Sequence, residues 1–126
     1  MREDMGLFRG KRLDNGEWVE GSLFVGDNGE CEICYGTPRV RITYAVDSAT
    51  VSENTALNDK NGKRIFEGDI VIGEDALAKG MKIWGYIDYM DGSFIIVNDI
   101  MKHYRWLDYV VEVIGNIHDN HEMLEV

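Results

Sequence analysis

Three carboxylates, Asp59, Glu67 and Asp69, stand closest to chemistry in this chain. Glu67 and Asp69 are two residues apart, so in regular β structure their side chains share one face, with Asp59 nearby in sequence. Such a trio can hold a divalent cation for phosphoryl or phosphodiester chemistry. Aspartates in turns also cap backbone N–H groups, and Glu67 can pair with Lys63 or Arg64. No general base and no phosphate-gripping glycine loop accompanies the three, which favours the structural use.

Cys31 and Cys34 have the spacing of half a zinc site. A structural zinc needs four ligands, so His103, His118 or His121, or a matching pair from a second subunit, would have to complete it. In a strand, positions 31 and 34 face opposite sides. The expectation is therefore one buried cysteine and one incidental one. His118, His121 and Glu122 lie close together near the C-terminus and read as a solvated turn rather than a metal cluster. No metal and no cofactor is expected, and the absence of a nucleophile elbow, His-Glu-x-x-His, Walker loop or dinucleotide fingerprint favours a protein that is not an enzyme.

The three tryptophans and six tyrosines offer a different use, a surface on which nucleic-acid bases stack. Such a platform belongs in a basic groove. Here the net charge is −10. Residues 1–53 carry 6 Lys/Arg against 10 Asp/Glu and residues 54–126 carry 7 against 13, so neither part is basic. Beyond residue 64 the only basic residues are Lys79, Lys82, Lys102 and Arg105. Phosphate neutralisation dominates nucleic-acid affinity, so nucleic-acid binding is possible but not favoured. Trp84, Tyr86, Tyr104 and Trp106 are instead the candidate partner-binding residues for a protein.

The elements that position these groups are strands. Period-two alternation punctuated by glycine-bearing turns marks an all-β chain. Strands at Leu7–Leu13 and Glu17–Val25 flank Asp14-Asn15-Gly16, where Asn-Gly supplies the positive φ angles of a tight hairpin. Gly26-Asp27-Asn28-Gly29 is a second turn, leading into Glu30–Tyr35. A half-buried strand covers Arg39–Val46, and residues 47–53 break the alternation as a short helical turn. Asp59-Lys60-Asn61-Gly62 then turns the chain toward a strand at Asp69–Ile72, with Gly68 permitting the bend before it. Residues 74–80 are one helical turn or an exposed loop. Met81–Met90 is a long strand that puts Met81, Ile83, Gly85, Ile87 and Tyr89 on one face, with Gly85 at a kink or bulge. Asp91-Gly92 leads to Ser93–Val97. Residues 100–109 are ambiguous between strand and helix, and 110–117 form a strand buried on both sides. Short strands, tight hairpins and a turn before the last strand define an SH3-like barrel over roughly residues 60–118.

Four blocks resemble the YopX-like proteins of phages and prophages. They are Phe8-Arg9-Gly10-Lys11 with Gly16-Glu17-Trp18-Val19-Glu20-Gly21; residues 54–71; Gly85-Tyr86-Ile87-Asp88-Tyr89 with Asp91-Gly92-Ser93-Phe94; and Glu112-Val113-Ile114-Gly115-Asn116-Ile117. The central block is the specific one. Its motif positions are Thr55, Leu57, Asp59, Gly62, Glu67, Gly68 and Asp69, joined near the C-terminus by Gly115 and Asn116. The family commonly has Thr-Gly before the leucine, whereas this chain has Thr55-Ala56-Leu57, which leaves the local backbone geometry open. The resemblance implies an N-terminal β region that takes part in self-association and a C-terminal SH3-like barrel, and it implies no catalytic residues.

The sequence expectation is thus an all-β protein in two parts, residues 1–53 and 54–126. It is a homo-oligomer that binds a host or phage protein. No segment approaches the roughly 20 consecutive apolar residues of a membrane span. Residues 1–6 are acidic where a signal peptide is basic, and two cysteines form no disulfide framework. These point to the cytoplasm, and the resemblance to phage and prophage proteins implies that of a bacterial host.

Overall fold

The computed structural model describes residues 7–37, 39–75, 80–103 and 109–124. The chain divides into two compact units, Met1–Asn54 and Thr55–Val126. The described residues are all-β apart from short 3₁₀ turns, and the strands form two antiparallel sheets.

In the first unit, β1 (Phe8–Lys11), β2 (Trp18–Val25), β3 (Cys31–Gly36) and β4 (Arg41–Val46) form a meander. The start of β5 (Ser52–Asn58) lies on the other side of β1, with Arg9 opposite Ser52. β5 runs on into the second unit, where β6 (Arg64–Phe66) pairs with it. Alternation puts Ile33 and Val46 on one face, where both are buried. The end of β4 returns to the end of β1: Arg12 and Val46 form an isolated bridge, and the Leu13 N–H donates to the Ala45 carbonyl at 3.0 Å. A 3₁₀ turn at Ser48–Thr50 is capped by Asp47, whose side chain accepts from the Ala49 N–H.

In the second unit, β7 (Asp69–Asp75), β8 (Lys82–Met90), β9 (Ser93–Val97), β10 (Lys102–His103) and β11 (Tyr109–Asn116) pair in the order β10-β9-β8-β7-β11. The core joins Ile65, Val71, Ile83, Ile87, Ile96 and Val111. These are the inward positions of successive strands, so period-two alternation builds the core directly.

Several local expectations change. Asp91 and Gly92 both have positive φ, at 52° and 83°, and form the two-residue turn between Met90 and Ser93. At Asn15-Gly16 only the glycine does, at 74°, and the Gly16 N–H closes a longer loop onto the Arg12 carbonyl. No bulge occurs at Gly85, where the β7–β8 register is continuous; the shift lies between Val113 and Gly115 in β11. β11 is not buried on both sides, because Val110 and Ile114 are exposed while Val111 is inside. The inward face of β4 is covered progressively, with Ile42 exposed, Tyr44 half-buried and Val46 buried. Among the described residues no pairing of β10 with β11 closes the second sheet into a barrel. Residues 76–79, with the helical alternative for that stretch, lie outside the described residues.

Ala56 adopts φ +67°, left-handed backbone that glycine enters without steric cost. Thr55 brackets it: its hydroxyl donates to the Ile65 carbonyl at 2.7 Å and accepts from the Leu57 N–H at 3.2 Å. A Cβ in left-handed backbone costs about 1–2 kcal/mol, against about 0.5–1 kcal/mol of extra chain entropy for glycine. Ala56→Gly is therefore expected to stabilise the protein by up to about 1 kcal/mol, read as a higher urea midpoint at unchanged slope.

Candidate functional site

The three carboxylates do not assemble into a site. Both oxygens of Asp59 are engaged: Oδ1 accepts from the Asn61 and Lys63 N–H groups, each at 2.9 Å, and Oδ2 accepts from the Val113 N–H at 2.9 Å. Asp59 is only 7% exposed, and that burial opposes ionisation. The hydrogen bonds from Val113, Lys63 and Asn61, with the nearby Lys63 charge, outweigh it and hold the carboxyl below its ordinary range. Asp69, 1% exposed, accepts from the Phe66 N–H at 2.8 Å. Glu67 is half-buried in the turn between β6 and β7, and Gly68 supplies φ +87° there. Its N–H donates to the Ile87 carbonyl and its carbonyl accepts from the Ile117 N–H, each at 2.8 Å.

The remaining motif positions are equally structural. Gly62 ends the Asp59 turn at φ +82°, and the partly buried Leu57 packs against the core. The Asn116 side chain accepts from the N–H groups of His118 and Asp119, while the Asn120 carboxamide fills the space beside Gly115. Residues 117–119 are therefore a self-capped turn. Among the described residues no group of three His, Cys, Asp or Glu side chains is placed to hold a metal ion. Cys31 and Cys34 are both free and half-buried, on opposite faces of β3, so neither is the fully buried member of the expected pair.

Trp18, Tyr35 and Tyr44 in the first unit already have partners. The Arg9 guanidinium and the Lys11 ammonium lie 4.6 and 5.4 Å from the Trp18 ring, Arg12 lies 3.8 Å from the Tyr44 ring, and Tyr35 and Tyr44 stack at 6.1 Å.

The second unit carries an open groove on the outer face of β11-β7-β8. Register aligns Glu112, Ile72 and Trp84 in one row and Val110, Glu74 and Lys82 in the next. These positions line a cavity of about 500 Å³, within the range that holds ligands or anchoring side chains. Ile72 and Val110 are 44% and 51% exposed, and Trp84 is half-buried. Lys60 closes one end, 3.2 Å from Glu112, so lysines and glutamates balance around an apolar floor. The Asn98 side chain anchors the groove: its amide donates to the Trp84 carbonyl at 2.7 Å, and its oxygen accepts from Ile100 and Met101 N–H groups.

Of the four aromatic residues expected to bind a partner, Trp84 lines the groove. Tyr86 follows it on the same half-buried face, with its phenol pushed up by burial and then by Asp88 and Asp99. Tyr104 and Trp106 lie outside the described residues, as do Lys79 and Arg105. The groove residues without a sequence signal were Ile72, Val110, Lys60 and Asn98. Ile72 ends the run Ile70-Val71-Ile72, which gives no sign that one end faces solvent. Only the register with β11 and β8 shows it.

Two antiparallel sheets, motif positions bonded to backbone groups or packed on the core, and an open apolar groove define a small all-β protein. The chain belongs to the YopX protein family, whose profile matches residues 7–125. It is similar to protein EF1440 from Enterococcus faecalis, known from a crystal structure, at 26% identity over 95% of this chain and 99% of that one, with a TM-score of 0.56. No curated protein matches it significantly.

Proposed function

We propose that this protein is a non-catalytic interaction module of a phage or prophage, acting in the bacterial cytoplasm, which self-associates through its N-terminal β region and captures a host or phage protein on the groove. The observation that carries the reading is the groove itself. Ile72 and Val110 keep about half their surface exposed around Trp84, an arrangement that raises no stability and favours an incoming apolar anchor. The SH3-like character of the second unit is supported by its strand order, a meander whose last strand returns beside the first. Self-association is supported by Leu13, Phe24 and Val25, each more than half exposed in the first unit. The free cysteines are compatible with a reducing compartment. No helix among the described residues is long and apolar enough to cross a membrane.

The test is capture from nuclease-treated bacterial lysate with wild type and with Ile72→Lys. Because Ile72 is exposed, the substitution should alter stability by no more than about 0.5 kcal/mol. It should lower recovery of a stoichiometric protein partner at least about tenfold. Equal recovery by both proteins refutes the groove, and capture of nucleic acid alone refutes the protein partner. A monomer by light scattering at tens of micromolar removes self-association.

A further inference from the structure

We propose that the outer edge of β4 is a strand-addition site for an acidic, amphipathic extended segment of another protein. This site is separate from the groove and does not depend on it. The Thr37 N–H donates to the Val40 carbonyl at 2.9 Å and the Val40 N–H to the Thr37 carbonyl at 3.2 Å. That exchange sets the phase of the β3–β4 ladder. Ile42, Tyr44 and Val46, opposite Tyr35, Ile33 and Cys31, turn their backbone groups toward β3. Arg41, Thr43 and Ala45 turn theirs away. The Ala45 carbonyl confirms the phase, because it accepts from Leu13. Among the described residues nothing pairs with the outward N–H and C=O groups of Arg41 and Thr43, so β4 presents an open edge.

Charge and polarity select what fits that edge. Arg39 and Arg41 are the only charged residues between Glu32 and Asp47, in a chain of net charge −10. On the face opposite Arg41 stand Ile42, Tyr44 and Tyr35, with Ile42 39% and Tyr35 41% exposed. An added strand with carboxylates on one face and apolar side chains on the other would meet the arginine on one side and this apolar row on the other. Glu32 and the Arg12–Asp14 pair lie toward the far end of β4, where Ala45 and Val46 are already closed off. A second copy pairing through the same edge would set its own Arg39 and Arg41 against these two, so the edge favours a foreign acidic segment over self-pairing.

Fluorescence anisotropy with the full chain tests this. The probes are labelled peptides spanning the length of β4, one alternating glutamate and valine and one alternating lysine and valine. Wild type should bind the glutamate peptide saturably and at least about tenfold more tightly than the lysine peptide. Thr43→Pro removes only an outward N–H, so the ladder to β3 stays intact while added strands are blocked. Its affinity should fall at least about tenfold, with Thr43→Ala unchanged. Should Thr43→Pro fail to fold, Arg41→Glu decides, because it should reverse the peptide preference with the backbone unaltered. Binding of neither peptide, equal binding of both, a folded Thr43→Pro that binds like wild type, or an Arg41→Glu that keeps the original preference overturns the proposal.

Discussion

Asp59→Ala is expected to destabilise the protein by about 3–5 kcal/mol, because three backbone N–H groups lose a charged acceptor at a site where water has little access. That is a large part of the roughly 5–15 kcal/mol that holds a domain folded. Asp59→Asn should recover little. An amide can offer oxygen to Asn61 and Lys63 only by turning its NH₂ against the Val113 N–H, or the reverse. Chemical denaturation of the three proteins measures both losses.

The same residue produces an acid-sensitive limb. Its folded carboxyl sits below the ordinary value, so its stabilisation is fully present above the unfolded pKa of about 3.9 and drains away as pH falls through the lower folded value. Asp59→Asn should flatten stability against pH in that window and leave the neutral region parallel to wild type. A further consequence concerns β11, an edge strand of the second sheet. Asp59 covers its Val113 N–H, and the Lys60 N–H donates to the Val111 carbonyl at 2.9 Å. Loss of that turn uncovers an edge bearing exposed Val110 and Ile114, so Asp59→Ala should also aggregate faster during refolding, read as turbidity.

Gly85→Ala is the second large effect. A Cβ at Gly85 would stand 2.3 Å from the Val97 carbonyl oxygen and 2.9 Å from Ile96 Cγ2, and the residue has φ +153°. Both obstacles belong to the neighbouring strand β9, and Ile96 is in the core, so the sheet has to part to admit the methyl group. Strain and overpacking together set the expected cost at about 3 kcal/mol or more, a fall in melting temperature on the order of 10 °C. Gly92→Ala separates the two causes. Gly92 has φ +83° with nothing near its absent Cβ, and should lose only about 1 kcal/mol. Similar losses at both positions would mean that backbone conformation alone, and not the approach of β9, explains Gly85.

Particular residues show how far the sequence could be read. Asp91-Gly92 announced its turn correctly because both positions tolerate positive φ and the flanking strands pair immediately beyond them. Asn15-Gly16 carried the same local signal and formed a longer loop, because the strands there begin pairing further out, at Lys11 and Trp18. Gly85 was visible as an exception within β8, but a missing side chain can mean a bulge or a close neighbour. The approach of Val97, set by the sheet, decides which.

The sequence by itself determined the all-β class, most strand positions and the shared face of Ile83 and Ile87, since alternation and turn chemistry are local properties. It also marked Asp59 as a turn residue, since a short carboxylate among Asn and Gly caps nearby N–H groups. Only the tertiary structure decided that the second oxygen of Asp59 reaches Val113, 54 residues away, that Ile72 and Val110 meet on an outer face, and that β4 ends a sheet. Each depends on which strands become neighbours and in what register, and side-chain period fixes the faces of a strand without saying what stands beside it.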